Sequence, residues 1–347
     1  MKNIYSIGST EKIAIHVESS PVWEAILGIA AYTHKQMRHT FERDATWSSW
    51  DKNMPASLYE RLKVAEDTNL WYGLIMLQAK ISSSTLREFS NSLSAITPST
   101  FYETLLPYKN RECEEERKLT AENYMNKSLF INYSKHFINH DYLEDYIVEL
   151  SHFRFEEICA FYQSIVNEWY QWVSVNEDWQ LWMSSLDFEK TQYQSIETNH
   201  PTDMIKLISG IENYIPEPSI WTIKLVPHIS YRPWILELRT SDTKLIFYPL
   251  KEEYFTQQGE PSNELIAGHK ALGDETRLKI LYQLQKGPMS LQDMSVQFLM
   301  SKTTLHHQLS ILKSAKFIRA DKGIYSLNAD YLKAFSSKLS HYLGSQS

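Results

Sequence analysis

At 347 residues, with 43% apolar and 13% aromatic side chains, the chain is long enough for two domains with sizeable cores. It has no run of about 18 apolar residues, no charged-then-apolar leader at its start, and two distant cysteines, Cys113 and Cys159. These features argue against a membrane span, a secretory leader and a disulfide framework, and predict a cytoplasmic protein with reduced thiols. The net charge of −7 divides unevenly: residues 264–347 hold 11 Lys+Arg against 6 Asp+Glu, a net of +5, and the remainder nets −12. A basic surface gains affinity for DNA by releasing condensed counterions, whereas an acidic one repels phosphate, so only the C-terminal part is suited to lie on a nucleic acid.

Residues 12–17 alternate, with Ile13, Ile15 and Val17 on one side and Lys12 and His16 on the other, which predicts a half-buried strand. Ser20, Pro21 and Glu24 then supply the N-cap, first position and first-turn acid of a helix. From there to about residue 210 the pattern is mainly helical, with breaks at Pro55, Pro98, Pro107 and Pro201. The charge run from Arg111 to Arg117 reads as a solvated helix face. His136, His140 and Glu144 step by four, a spacing that can present metal ligands on a helix. In a chain with 12 histidines chance accounts for such a pair, and no metal is expected there.

The most distinctive pattern predicts one helix over residues 153–183. Ile158, Tyr162, Ile165, Trp169 and Trp172 form an apolar seam, and Trp179 and Trp182 follow it. Aromatics at this spacing fill interhelical space, or else Tyr162, Trp169 and Trp172 wall a pocket for an apolar or cationic small-molecule effector. After Pro216 and Pro218 the period changes. Trp221/Ile223/Leu225, Trp234/Leu236/Leu238 and Leu245/Phe247 read as two or three antiparallel strands, forming a small sheet with the strand at 12–17. Residues 257–263 are polar and breaker-rich and predict a linker, which separates domains at 1–256 and 264–347.

In the second domain, Ser290 reads as an N-cap with Asp293 three residues on, opening a helix to about Phe298. Ser301 caps the next helix after a short turn at Leu299 and Met300. There Leu305, Leu309 and Leu312 make one buried stripe. The opposite side carries Thr303, His307 and Ser310, flanked by Lys302, His306 and Lys313, groups that donate to phosphates and base edges. Two short strands around a turn at Asp321, Lys322 and Gly323 read as a wing.

The stretch Ala271-Leu272-Gly273-Asp274-Glu275-Thr276-Arg277-Leu278-Lys279-Ile280-Leu281 resembles the signature opening of ArsR-type (arsenic-repressor-like) winged-helix regulators. Residues 301–309 are similar to that family's recognition helix, and 312–318 to the segment leading into its wing. The entry from residue 12 into the first helix resembles the start of a large N-terminal domain of unknown function found in some long ArsR-type regulators. The resemblance implies an α+β chain ending in a winged helix that binds a double-stranded operator as a homodimer. Ser301, Lys302, Thr303, Thr304, His306, His307, Ser310, Lys313 and Lys322 are then the expected DNA contacts. The first and last helices make the interface in that family, which points to Leu265, Leu272, Leu332, Phe335, Leu339 and Tyr342.

Metal sensing, the family's familiar mode, is not expected. Where its thiols stand, this chain has Ser290-Leu291-Gln292-Asp293-Met294, and on the last helix only Asp330 and His341 could serve. No glycine-rich phosphate loop, GxSxG elbow or HExxH pair occurs, so the chain reads as a non-enzymatic regulator without cofactor, and the family resemblance implies a repressor. The signal is expected to enter through the N-terminal domain, as a small molecule or as a protein partner.

Overall fold

The computed structural model describes residues 12–34, 37–176, 178–193, 195–198, 200–212, 214–251, 261–321, 323–329, 331–332, 335, 339 and 342–343. The chain separates into two compact units, Met1–Leu250 and Lys251–Ser347. The predicted linker falls largely on residues 252–260, outside the described residues.

The first unit begins with β1 (Ile13–Val17) and α1 (Pro21–Thr33), then α2 (Asp44–Trp50), α3 (Ala56–Thr68), α4 (Trp71–Ile81), α5 (Leu86–Ala95) and α6 (Pro98–Leu105). It continues through α7 (Glu114–Glu122), α8 (Lys127–Ser134), α9 (Leu143–Leu150), α10 (Phe155–Val173), α11 (Trp179–Tyr193), β2 (Ser195–Thr198) and α12 (Pro201–Ser209). β3 (Thr222–His228), β4 (Leu236–Arg239) and β5 (Thr243–Pro249) complete it. Ser20 caps α1 as predicted, its hydroxyl accepting the Trp23 N–H at 3.1 Å. Pro98 and Pro201 open α6 and α12, where a missing N–H costs nothing.

The five strands form one sheet in the order β2-β1-β3-β5-β4. The expectation of an antiparallel sheet holds only at its edges. β1 pairs with β3 and β3 with β5 in parallel, and β2 and β4 are the antiparallel edge strands. Side-chain alternation does not report strand direction. β4 lies outside β5, so the chain passes from β3 to the edge and returns between them. One face packs Ile15, Ile223, Leu225 and Ile246 against Ile205 and Ile208 of α12. On α1, Trp23 lies edge-on to Phe247 at 5.3 Å.

Three other expectations change. The helix predicted over 153–183 is two helices, α10 and α11. It breaks at a polar stretch where Asn176 Oδ1 accepts the Asp178 N–H at 2.9 Å, a local bond that competes with helix. The charge run is not wholly solvated: Arg117 is buried and bonds Glu114 at 2.7 Å and Glu103 at 3.2 Å. His136 and Glu144 do not share a helix, because a turn separates Phe137 from α9, and His136 Nε2 lies 2.7 Å from Glu116 instead.

The second unit contains α13 (Asn263–Leu272), α14 (Glu275–Lys286), β6 (Met289–Ser290), α15 (Leu291–Phe298), α16 (Lys302–Ser314), β7 (Ile318–Asp321) and β8 (Ile324–Leu327). Residues 331, 332, 335, 339 and 342 are helical. Its sheet has the order β6-β8-β7, antiparallel throughout, so the two-stranded wing gains a third strand from before α15. The core is built from Ile280, Leu281, Leu284, Met294, Leu305, Leu309, Leu312, Phe317 and Phe335. The Phe335 ring occupies the space that a Cβ on residue 268 would need, so Gly268 lets the last helical segment close on α13.

Candidate nucleic-acid interface

The helix-turn-helix is fixed by local bonds before any packing is considered. Ser290 Oγ accepts the Asp293 N–H at 3.2 Å and donates to Asp293 Oδ2 at 2.7 Å, starting α15. Leu299 ends it in the left-handed region at φ 54°, an uncommon conformation for a branched side chain. The turn is held by the Ser295 hydroxyl donating to the Met300 carbonyl at 2.6 Å and the Met300 N–H to the Ser295 carbonyl at 3.2 Å. Ser301 then caps α16, accepting the Thr304 N–H at 3.1 Å.

Leu305, Leu309 and Leu312 of α16 are fully buried in the core of the unit. Helical periodicity therefore turns Lys302, Thr303, His306, His307, Ser310 and Lys313 outward, and all six are exposed. Ser301 and Thr304 are exposed too, but their hydroxyls face each other at 2.8 Å and complete the cap. Lys322 lies outside the described residues. On the wing, Arg319 Nη2 donates to Asn328 Oδ1 at 2.8 Å, and Asn328 Nδ2 donates to the Lys316 carbonyl at 3.0 Å. This bracket pins β7 at its root. Its members are 9 and 12 residues apart, and the sequence pattern gave no sign of it.

A second arrangement escaped the sequence reading. Arg277, at the start of α14, donates from Nε to the Ala271 carbonyl at 2.7 Å and from Nη2 to the Lys270 carbonyl at 2.8 Å. From Nη1 it reaches Gln308 Oε1 on α16 at 2.9 Å.

Of the residues expected at a dimer interface, Leu265 and Phe335 lie in the core of the unit, and Leu272 and Leu332 pack partly against it. Leu339 and Tyr342 are exposed. In the first unit, Tyr162 is buried and its hydroxyl donates to the Leu70 carbonyl at 3.1 Å. Trp169 is also buried; its indole presses on Gly28 of α1, 2.8 Å from where a Cβ would stand, and lies 5.4 Å from the Tyr32 ring and 5.2 Å from that of half-buried Trp172. An open cleft of about 360 Å³ lies elsewhere in this unit, lined by Met76, Lys80, Thr104, Tyr108, Arg239 and Leu245 among others. Among the described residues, no group of three or more His, Cys, Asp or Glu side chains is arranged to hold a metal ion. Among them, too, no helix is long and apolar enough to cross a membrane.

A capped helix that buries one leucine stripe and presents hydroxyls, imidazoles and ammonium groups on the other, beside a three-stranded wing, defines a winged helix-turn-helix DNA reader. Residues 274–320 match the family described as bacterial regulatory protein, arsR family. The chain is 43% identical over 68 residues to the transcriptional repressor SdpR of Bacillus subtilis (strain 168), an alignment covering 18% of this chain and 76% of that protein. The chain belongs to the arsR family of bacterial regulatory proteins and is a DNA-binding transcriptional regulator. No solved structure matches it.

Proposed function

We propose that the chain is a repressor that binds its operator as a homodimer and is controlled through its N-terminal unit. The exposed face of α16 is the observation that carries this reading. Thr303 and His307 read base edges, and Lys302 and Lys313 contact phosphate. Repression is supported by the likeness to the transcriptional repressor SdpR. Leu339 and Tyr342 supply exposed apolar surface for a second copy.

The signal enters through the first unit. Its cleft of about 360 Å³ falls within the size range of small-molecule sites, roughly 300–1,000 Å³. A protein partner on the same unit is the second reading, and it takes its support from exposed Trp221, Trp234 and Ile235.

The test selects duplexes from a random pool with the wild-type chain and compares them with unselected DNA. Thr303→Ala and His307→Ala should each weaken selected duplexes by about 1–3 kcal/mol and unselected DNA far less. Lys302→Ala should weaken both alike. Equal losses on both kinds of DNA from all three would reassign Thr303 and His307 to phosphate contact. In a reporter strain the full chain should respond to the inducing condition and residues 261–347 should not. A response by the short chain would remove the N-terminal unit from the signalling role.

A further inference from the structure

Arg277 carries an arrangement that neither the exposed face of α16 nor the family signature accounts for. A helix leaves its last four carbonyls without partners inside the helix. On α13 the Gly273 N–H takes one, the His269 carbonyl, at 2.9 Å. The next two, Lys270 and Ala271, are taken by the Nη2 and Nε donors of one guanidinium. A cation is favoured at this end of a helix.

The third arm of the same planar group ends on Gln308, at 2.9 Å. Gln308 sits in α16 between exposed His307 and buried Leu309, half-buried on the flank of the recognition helix. The guanidinium is itself held. Its side chain is only 12% exposed, its Nη1 lies 4.0 Å from Asp274 Oδ2, and the backbone N–H of Arg277 donates to Oδ1 of the same N-cap aspartate at 3.0 Å. A rigid fork of donors therefore spans from the end of α13 to the side of α16. An alkylammonium in its place would be a point charge without that geometry.

We infer that Arg277 is a positioning residue for sequence recognition. It holds Gln308 of the recognition helix to the terminal carbonyls of α13, and so sets the pitch at which Thr303 and His307 meet the base edges. Phosphate contacts tolerate a tilted helix, because ammonium groups on flexible stems reach a phosphate from many angles. Base-edge contacts do not tolerate it, since short side chains make hydrogen bonds there only at a narrow distance and angle. Loss of the bridge should therefore lower discrimination between sequences and leave general DNA affinity in place. A displacement of the α13 end would reach the reading face by the same bridge. This inference rests on the proposed base reading by Thr303 and His307, and not on what the first unit binds.

The test uses the full chain, with a duplex recovered from a random pool by the wild-type chain and an unselected duplex of equal length. The quantity read is the ratio of the two affinities at one salt concentration. Gln308→Leu should reduce that ratio about tenfold, the scale of a hydrogen bond to a charged group. Arg277→Lys should reduce it by as much, and the double variant should lose no more than either single one. Gln308→Glu keeps an acceptor for Arg277 and should hold the ratio within about twofold, even as its charge weakens both duplexes. The thermal midpoint of each variant is recorded alongside. If Arg277→Lys does not fold, the two Gln308 variants still decide the matter. An unchanged ratio in Gln308→Leu would overturn the inference. So would losses that multiply in the double variant, or a loss with Gln308→Leu while folded Arg277→Lys is silent, which would make Gln308 a base reader.

Discussion

His228 and Glu24 show how the first unit should answer to acid. His228 is fully buried at the end of β3, and Glu24 of α1 accepts the N–H groups of Ile229 at 3.1 Å and Ser230 at 2.6 Å just beyond it. Burial, and after it the Arg232 guanidinium, holds the folded imidazole down to about 3, from an ordinary value of 6.5. Between those values the unfolded chain binds a proton that the folded chain refuses, so stability is full above about 6.5 and falls as the pH drops. Glu24 has the opposite sign. Burial raises its carboxyl despite the hydrogen bonds from Ser230 and Ile229, so its contribution is lost as pH rises through the folded value. The urea midpoint of the first transition should fall between about pH 7 and about pH 5 in the wild type. In His228→Phe the fall should be shallower, because His34 and His140, also held down by burial, keep part of it while Glu24 opposes it. An equally steep fall in the variant would show that another group carries the acid sensitivity.

Elements differ in how far the sequence exposed them. The caps at Ser290 and Ser301 and the stripe of Leu305, Leu309 and Leu312 involve partners within a few residues, so spacing alone located them. The parallel core of the first sheet was not visible. β1 and β3 are neighbours separated by more than 200 residues, and alternation is the same in either direction. A usable signal did exist in the nearly unbroken apolar runs at Leu225-Val226 and Leu245-Ile246-Phe247, which mark strands covered on both faces. The bridge at Arg277 joins three helices, and no single periodicity contains it. α10 offers a test at this scale. With Trp169 pressed between Gly28, Tyr32 and Trp172, Trp169→Ala should destabilise the first unit by about 3–5 kcal/mol, read as a lower urea midpoint. Trp172→Ala, at a half-buried position, should cost less. A Trp169→Ala variant of unchanged stability would show that the indole is not needed to fill the core and would favour its expected role as a pocket wall.

For the whole molecule, charge separates the two units more sharply than length does. The winged helix carries the net positive balance and the remainder a net of −12, so attraction to DNA is confined to one end of the chain. The affinity of the full chain for any duplex should fall linearly on logarithmic axes as salt rises from about 50 to about 200 mM. Lys302→Ala should reduce that slope by about one. A salt-independent interaction would contradict phosphate contact by this face.

The packing of Phe335 against Gly268 also has a consequence for how the protein is made. Among the described residues Phe335 is the last in chain order to enter the core of the winged helix, so that core closes late in translation. The sheet of the first unit, among the described residues, ends with β5 in chain order, and domains emerge and fold from the N-terminal end during synthesis. Each newly made copy should therefore have its N-terminal unit assembled before it has a competent DNA reader. A nascent chain would then have little opportunity to bind DNA before its first unit has folded.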